Sequence, residues 1–173
     1  MKRDYFDLQE RTEPLAYLIT FRCYGTWLHG DKRGSVDRKR YNRYGAPDIP
    51  ECKLKESSSR AMGQAPFVLG HQERRIAEEV IREVSEHRGY GMFALSIRTN
   101  HIHVVVAASH SPERVMNDFK AYITRRFRKL GLASAKRKVW SRHGSTKYLW
   151  TEDAIEKAVD YVLNGLGGDF KEF

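Results

Sequence analysis

The chain has 173 residues, 40% hydrophobic and 31% charged, a globular mixture that excludes collagen-like and disordered classes. Its 31 Lys and Arg outnumber 22 Asp and Glu for a net charge of +9, which favours a polyanionic partner. Two cysteines, Cys23 and Cys52, are too few for a disulfide scaffold, and no apolar run approaches the roughly 18 residues a membrane span needs. The expectation is a cytoplasmic, soluble protein with no membrane association, folded as one domain over residues 1–173.

In chain order, residues 15–24 alternate, with Leu15, Tyr17, Ile19, Phe21 and Cys23 on one side, which predicts a strand. From about Trp27 the pattern dissolves into Gly, Asp, Arg, Lys, Pro and Ser, predicting a long polar loop at about residues 28–70. Connections of that length are uncommon in compact domains and usually functional or mobile. Ile76, Ala77, Val80, Ile81 and Val84 follow helical spacing over residues 72–87, and Gly89 stops the run. Strands near 92–98 and 101–107, joined by Thr99-Asn100, form a predicted antiparallel hairpin.

Ser111-Pro112-Glu113 combines an N-cap hydroxyl, a proline at the first helical position and an acid at the positive helix end. The helix it starts runs to about Leu130 and stops at Gly131. A short strand over 147–149 and a helix from Glu152 to Leu163, capped by Thr151 and ended by Gly165, Gly167 and Gly168, complete the pattern. The order β-α-β-β-α-β plus a terminal helix predicts an α+β, ferredoxin/RRM-like fold, an antiparallel sheet backed by helices.

All of the positive excess sits in one segment. Between Lys120 and Lys147 there are ten basic residues and no acid, leaving 21 basic against 22 acidic residues elsewhere. An acid-free block of this kind is the footprint of a nucleic-acid binder, because each neutralised phosphate releases counterions. Arg125, Arg126, Lys129, Lys136, Arg137, Lys138 and Arg142 are the candidate contacts. Phe127, Trp140, Tyr148 and Trp150 interleave with them, and aromatic rings offer unpaired bases a stacking surface.

The sharpest local motif is Asn100-His101-Ile102-His103-Val104-Val105-Val106. Strand alternation sends His101 and His103 to one face and Ile102, Val104 and Val106 to the other. Two imidazoles about 7 Å apart on one strand can converge on a metal ion. On the helix after Ser111, Val115, Phe119, Ile123, Phe127 and Leu130 form an apolar stripe. Tyr122 falls at its edge, beside Arg125, Arg126 and Lys129. Nearby cations lower the cost of a phenolate, so Tyr122 is the candidate nucleophile; Tyr148 and Tyr161 are its nearest rivals.

These two motifs together resemble the single-tyrosine HUH transposases, and most closely the REP-associated tyrosine transposases and similar insertion-sequence enzymes. The residues that carry the likeness are Asn100–His103 with Val104–Val106, and Phe119-Lys120-Ala121-Tyr122. Weaker echoes are Tyr24–Asp31 and His143–Trp150. The resemblance implies an endonuclease and strand transferase acting on single-stranded or hairpin DNA, as a monomer or homodimer. His101 and His103 would hold Mg²⁺ or Mn²⁺ on the scissile phosphate, and Tyr122 would attack phosphorus to give a 5′-phosphotyrosine and a free 3′-OH.

The polar residue that completes the metal site of insertion-sequence members, one turn after the tyrosine, is here Arg126, which cannot ligate a cation. His143, Asp118 or water remain as substitutes. The alternative is a catalytically impaired or host-adopted nucleic-acid-binding protein. Neither the paired His-x-Thr/Ser motifs of a metal-independent phosphoesterase nor a His-Glu-x-x-His zinc motif is present.

Overall fold

The computed structural model describes residues 12–26 and 62–165. Strand β1 (Ala16–Cys23) is followed by helix α1 (His71–Arg88), the hairpin β2 (Gly91–Ile97) and β3 (His101–Ala107), helix α2 (Pro112–Lys129), strand β4 (Trp140–Leu149) and helix α3 (Glu152–Asp160). A single π-turn, Tyr161–Gly165, continues α3. Residues 27–61, with Cys52 and most of the expected polar loop, lie outside the described residues.

The local signals act where they are expected. Gly89 ends α1 in the left-handed region at φ 69°, which costs a glycine little. Ser111 caps α2 by accepting from the Arg114 N–H, and Thr151 caps α3 by accepting from the Ala154 N–H.

The sheet order is β2-β3-β1-β4, and every neighbouring pair is antiparallel. Helix α1 crosses from β1 to β2 past β3, and α2 crosses from β3 to β4 past β1, the ferredoxin-like double crossover. Both helices pack on one face. There Ile19, Phe21 and Cys23 of β1 and Ile102, Val104 and Val106 of β3 meet Ile76, Val80 and Ile81 of α1 and Val115, Phe119, Ile123 and Phe127 of α2. Each fully buried phenylalanine or isoleucine there contributes about 1.5–3 kcal/mol through removal from water. The opposite face carries a smaller cluster: Ala16, Ala94, Val105 and Leu149 lie under Ala158 and Val162 of the terminal helix and its π-turn.

Strand β4 is longer than the three residues the pattern predicts, for a tertiary reason. Its first half pairs with β1 across a register shift between Phe21 and Cys23. The ammonium of buried Lys120 donates to the Ser141 and His143 carbonyls at 3.0 and 3.3 Å, satisfying backbone that the bulge leaves unpaired. Gly144 permits the close passage over α2: a Cβ there would lie 2.5 Å from the Thr20 carbonyl oxygen and against the Met116 sulfur. None of this is visible as strand periodicity.

Candidate active site

Residues His101 and His103 emerge from the sheet face that α1 and α2 leave uncovered, because β3 commits Ile102, Val104 and Val106 to the helices. Their ring centroids are 4.6 Å apart and nearly perpendicular, at 84°. His103 Nδ1 lies 2.7 Å from the hydroxyl of Thr20, its cross-strand partner on β1. His101 Nδ1 lies 2.6 Å from Asn100 Oδ1; an amide oxygen only accepts, so that nitrogen carries the proton and Nε2 carries the ring's lone pair. Such partners orient an imidazole for ligation.

The electrostatics favour a neutral His103 ring. His103 is buried, at 6% exposure. Burial first, and then the positive charges of His101, Arg98 and Arg22, push its pKa down to about 3. An imidazole that stays neutral needs no proton removed before it binds a cation, and it is a poor general base at neutral pH. Among the described residues no group of three His, Cys, Asp or Glu converges. His101 and His103 together offer two ring-nitrogen donors on one strand face. Asp118 is not a third donor: it accepts from the Tyr90 hydroxyl at 3.1 Å and faces Arg88 at 3.6 Å, on the helical side of the sheet. His143 is exposed on β4.

The expected nucleophile does not come to this pair. Tyr122 packs at the margin of the core between the sheet and its two helices, under the Arg125 guanidinium at 5.0 Å. The sheet itself stands between Tyr122 and the histidines. Tyr161 takes the place instead. Helix α3 crosses the histidine side, and its π-turn brings the Tyr161 ring to 5.9 Å from His103, edge to face at 85°. Tyr161 is 40% exposed. Single π-turns recur at functional sites.

Residues 66–162, more than half of the chain, match the family model described as "Transposase IS200 like". The chain belongs to the IS200-like transposase family. DNA transposition is the process it serves. No curated protein matches the sequence. Among solved structures it is similar to a REP-associated tyrosine transposase bound to a REP hairpin, at 12% identity over 94% of this chain and 69% of that one, with a TM-score of 0.47. It is also similar to a protein of Deinococcus radiodurans R1 described as a transposase, at 12% identity over 94% and 95% of the two chains, with a TM-score of 0.49.

The basic residues of this transposase divide. Arg126 pairs with Glu83 of α1 at 2.7 Å. Arg137 donates to the Ala65 and Pro66 carbonyls at 2.7 and 2.9 Å and covers the Phe67 ring, so it holds the segment before α1. Lys138 lies over Tyr24 at 5.2 Å. Arg125, Lys129, Lys136 and Arg142 are exposed. Pattern reading missed Thr20, Arg22 and Arg98 beside the histidines. The signal was available: with Ile19, Phe21 and Cys23 turned to the core, alternation sends Thr20 and Arg22 to the histidine side, where they pair with His103 and His101.

Proposed function

We propose that this transposase is a metal-assisted endonuclease and strand transferase for single-stranded or hairpin DNA, with Tyr161 as nucleophile and His101 and His103 as metal ligands. The observation that carries the reading is the approach of Tyr161 to His103 on the sheet face opposite α1 and α2, 5.9 Å between ring centroids. When bound, Mn²⁺ or Mg²⁺ would supply Lewis-acid polarisation of a phosphoryl oxygen. Nitrogen donors suit Mn²⁺ better than the oxygen-seeking Mg²⁺.

The protein's own residues do the rest. Thr20 and Asn100 hold the imidazoles in orientation. Arg22 and Arg98 lend positive charge to a site that must receive a phosphodiester. The Tyr161 oxygen attacks phosphorus, the bond to the 3′-oxygen breaks, and the phenolic proton is passed through solvent to the leaving 3′-oxygen. The products are a 5′-phosphotyrosine and a 3′-hydroxyl. The ester keeps the phosphodiester energy, so a second 3′-hydroxyl rejoins the strand by reversal, without ATP.

Incubation of the protein with a labelled DNA hairpin carrying a single-stranded extension and Mn²⁺ tests this. A denaturant-resistant adduct should form, be lost in Tyr161→Phe, persist in Tyr122→Phe, and map to Tyr161 by mass spectrometry. A nucleotide on Tyr122 or Tyr148 would overturn the assignment. Hairpin binding with no adduct from any tyrosine would make the chain a binding protein instead.

A further inference from the structure

One corner of this basic protein is aromatic and acidic. Tyr148 pairs with Tyr17 across β4 and β1, and the two rings meet edge to face at 5.3 Å and 88°. Trp150, just beyond β4, stacks on Tyr148 at 6.4 Å and 17°. Tyr17 is buried, whereas Tyr148 and Trp150 are 45% and 42% exposed. A stacked tyrosine and tryptophan therefore face solvent, the residue types that anchor protein interfaces.

The charges around these rings are carboxylates. Glu113, in the first turn of α2, accepts from the hydroxyl of Thr146 at 3.1 Å, and Thr146 shares a strand face with Tyr148. The Leu15 N–H donates to the Leu149 carbonyl at 2.9 Å, which brings Glu13 alongside the end of β4. Burial first, and then the Tyr148 phenol and the Glu13 and Glu113 carboxylates, raise the Tyr17 pKa, so both acids act on the ring cluster. Both are exposed, and among the described residues no Lys or Arg forms an ion pair with either. Lys147 pairs with Leu18, which packs on the opposite sheet face. Rings alone would suit bases, but unpaired carboxylates repel the phosphates that come with them. Ring faces attract cations, and a guanidinium also stacks on them.

We infer that Tyr148 and Trp150, with Glu13 and Glu113, form a docking surface for an arginine- or lysine-bearing segment of a protein partner. A cation laid against the exposed rings meets two carboxylates that are left without an ion pair, a complementarity that a basic peptide satisfies and a nucleic acid does not. The inference is independent of the metal and of which tyrosine reacts. Fluorescence anisotropy with a labelled arginine–glycine–serine repeat peptide measures the binding, and the same peptide with glutamine for arginine is the neutral control.

The parent should bind the arginine peptide saturably and the glutamine peptide about tenfold more weakly. Trp150→Ala should weaken arginine-peptide binding about two- to fivefold, and Trp150→Ala with Tyr148→Ala about tenfold. Glu13→Gln with Glu113→Gln keeps both rings and should weaken it about fivefold at low salt, a difference that shrinks as salt is added. Glu78→Gln with Glu79→Gln removes the same charge from α1 and should leave the affinity within about twofold of the parent. Equal binding of the two peptides, or none of either, overturns the inference. So does parental affinity in the Glu13 and Glu113 variant, which decides the matter even where the ring variants fail to fold, or an equal loss in the α1 control. Loss of single-stranded DNA affinity in Trp150→Ala would make the rings a base platform, and loss of self-association there would make the occupant a second copy; either result overturns it.

Discussion

Replacing Thr20 by valine removes one hydroxyl from the protein and should show how far the histidine site depends on it. Thr20 Oγ1 is 2.7 Å from His103 Nδ1, and the ring is only 6% exposed, so water cannot take over the lost partner. Leaving a buried imidazole nitrogen unsatisfied costs about 1–3 kcal/mol. For a chain of this length that lowers the thermal midpoint by roughly 2–10 °C. The functional loss should be larger than the stability loss, because the ring also loses what fixes its tautomer and orientation. Outer-shell partners of ligating histidines are worth about 10–100-fold in metal affinity. Mn²⁺ titration followed by electron paramagnetic resonance reads that affinity directly, and Mn²⁺-dependent adduct formation reads its consequence. Thr20→Ser keeps the hydroxyl and should restore Mn²⁺ affinity. A Thr20→Val protein with the parent's Mn²⁺ affinity would refute the argument that Thr20 orients a metal ligand.

Two further outcomes follow from the same geometry. Gly144→Ala places a methyl against the Thr20 carbonyl oxygen and the Met116 sulfur, so it should destabilise by about 1–3 kcal/mol or more; a denaturation midpoint equal to the parent's would remove the close approach as the reason for glycine. The pH dependence of stability should carry a His103 component. Its folded pKa of about 3 lies below the ordinary 6.5, so the unfolded chain takes up the proton first, and stability falls as pH drops from 6.5 toward 3, by at most about 1.4 kcal/mol per unit. Subtracting the profile of His103→Gln isolates it, and identical slopes in the two proteins would contradict the burial argument.

The sequence alone was enough for everything that depends on local chemistry. Alternation along Leu15–Cys23 and His101–Ala107 marked the two central strands, Ser111-Pro112 and Thr151 started their helices, and Gly89 closed its own. The same alternation put His101 and His103 on one face, since a strand's period of two is a property of the backbone. Tertiary structure decided which residues meet them. A helical stripe says that Tyr122 lies near a core boundary, but not on which side of the sheet that core lies. In a β-α-β-β-α-β crossover both connecting helices take the face to which β3 turns Ile102, Val104 and Val106. The histidines are thus left to whatever follows β4, which is the helix ending in Tyr161. Charge divides in the same way. Composition shows an acid-free block, but only packing shows that Arg126 is neutralised by Glu83 from a distant helix, while among the described residues no carboxylate pairs with Arg125 or Arg128 beside it. Pairing across 43 positions of sequence is set by how helices dock, and no local pattern encodes it.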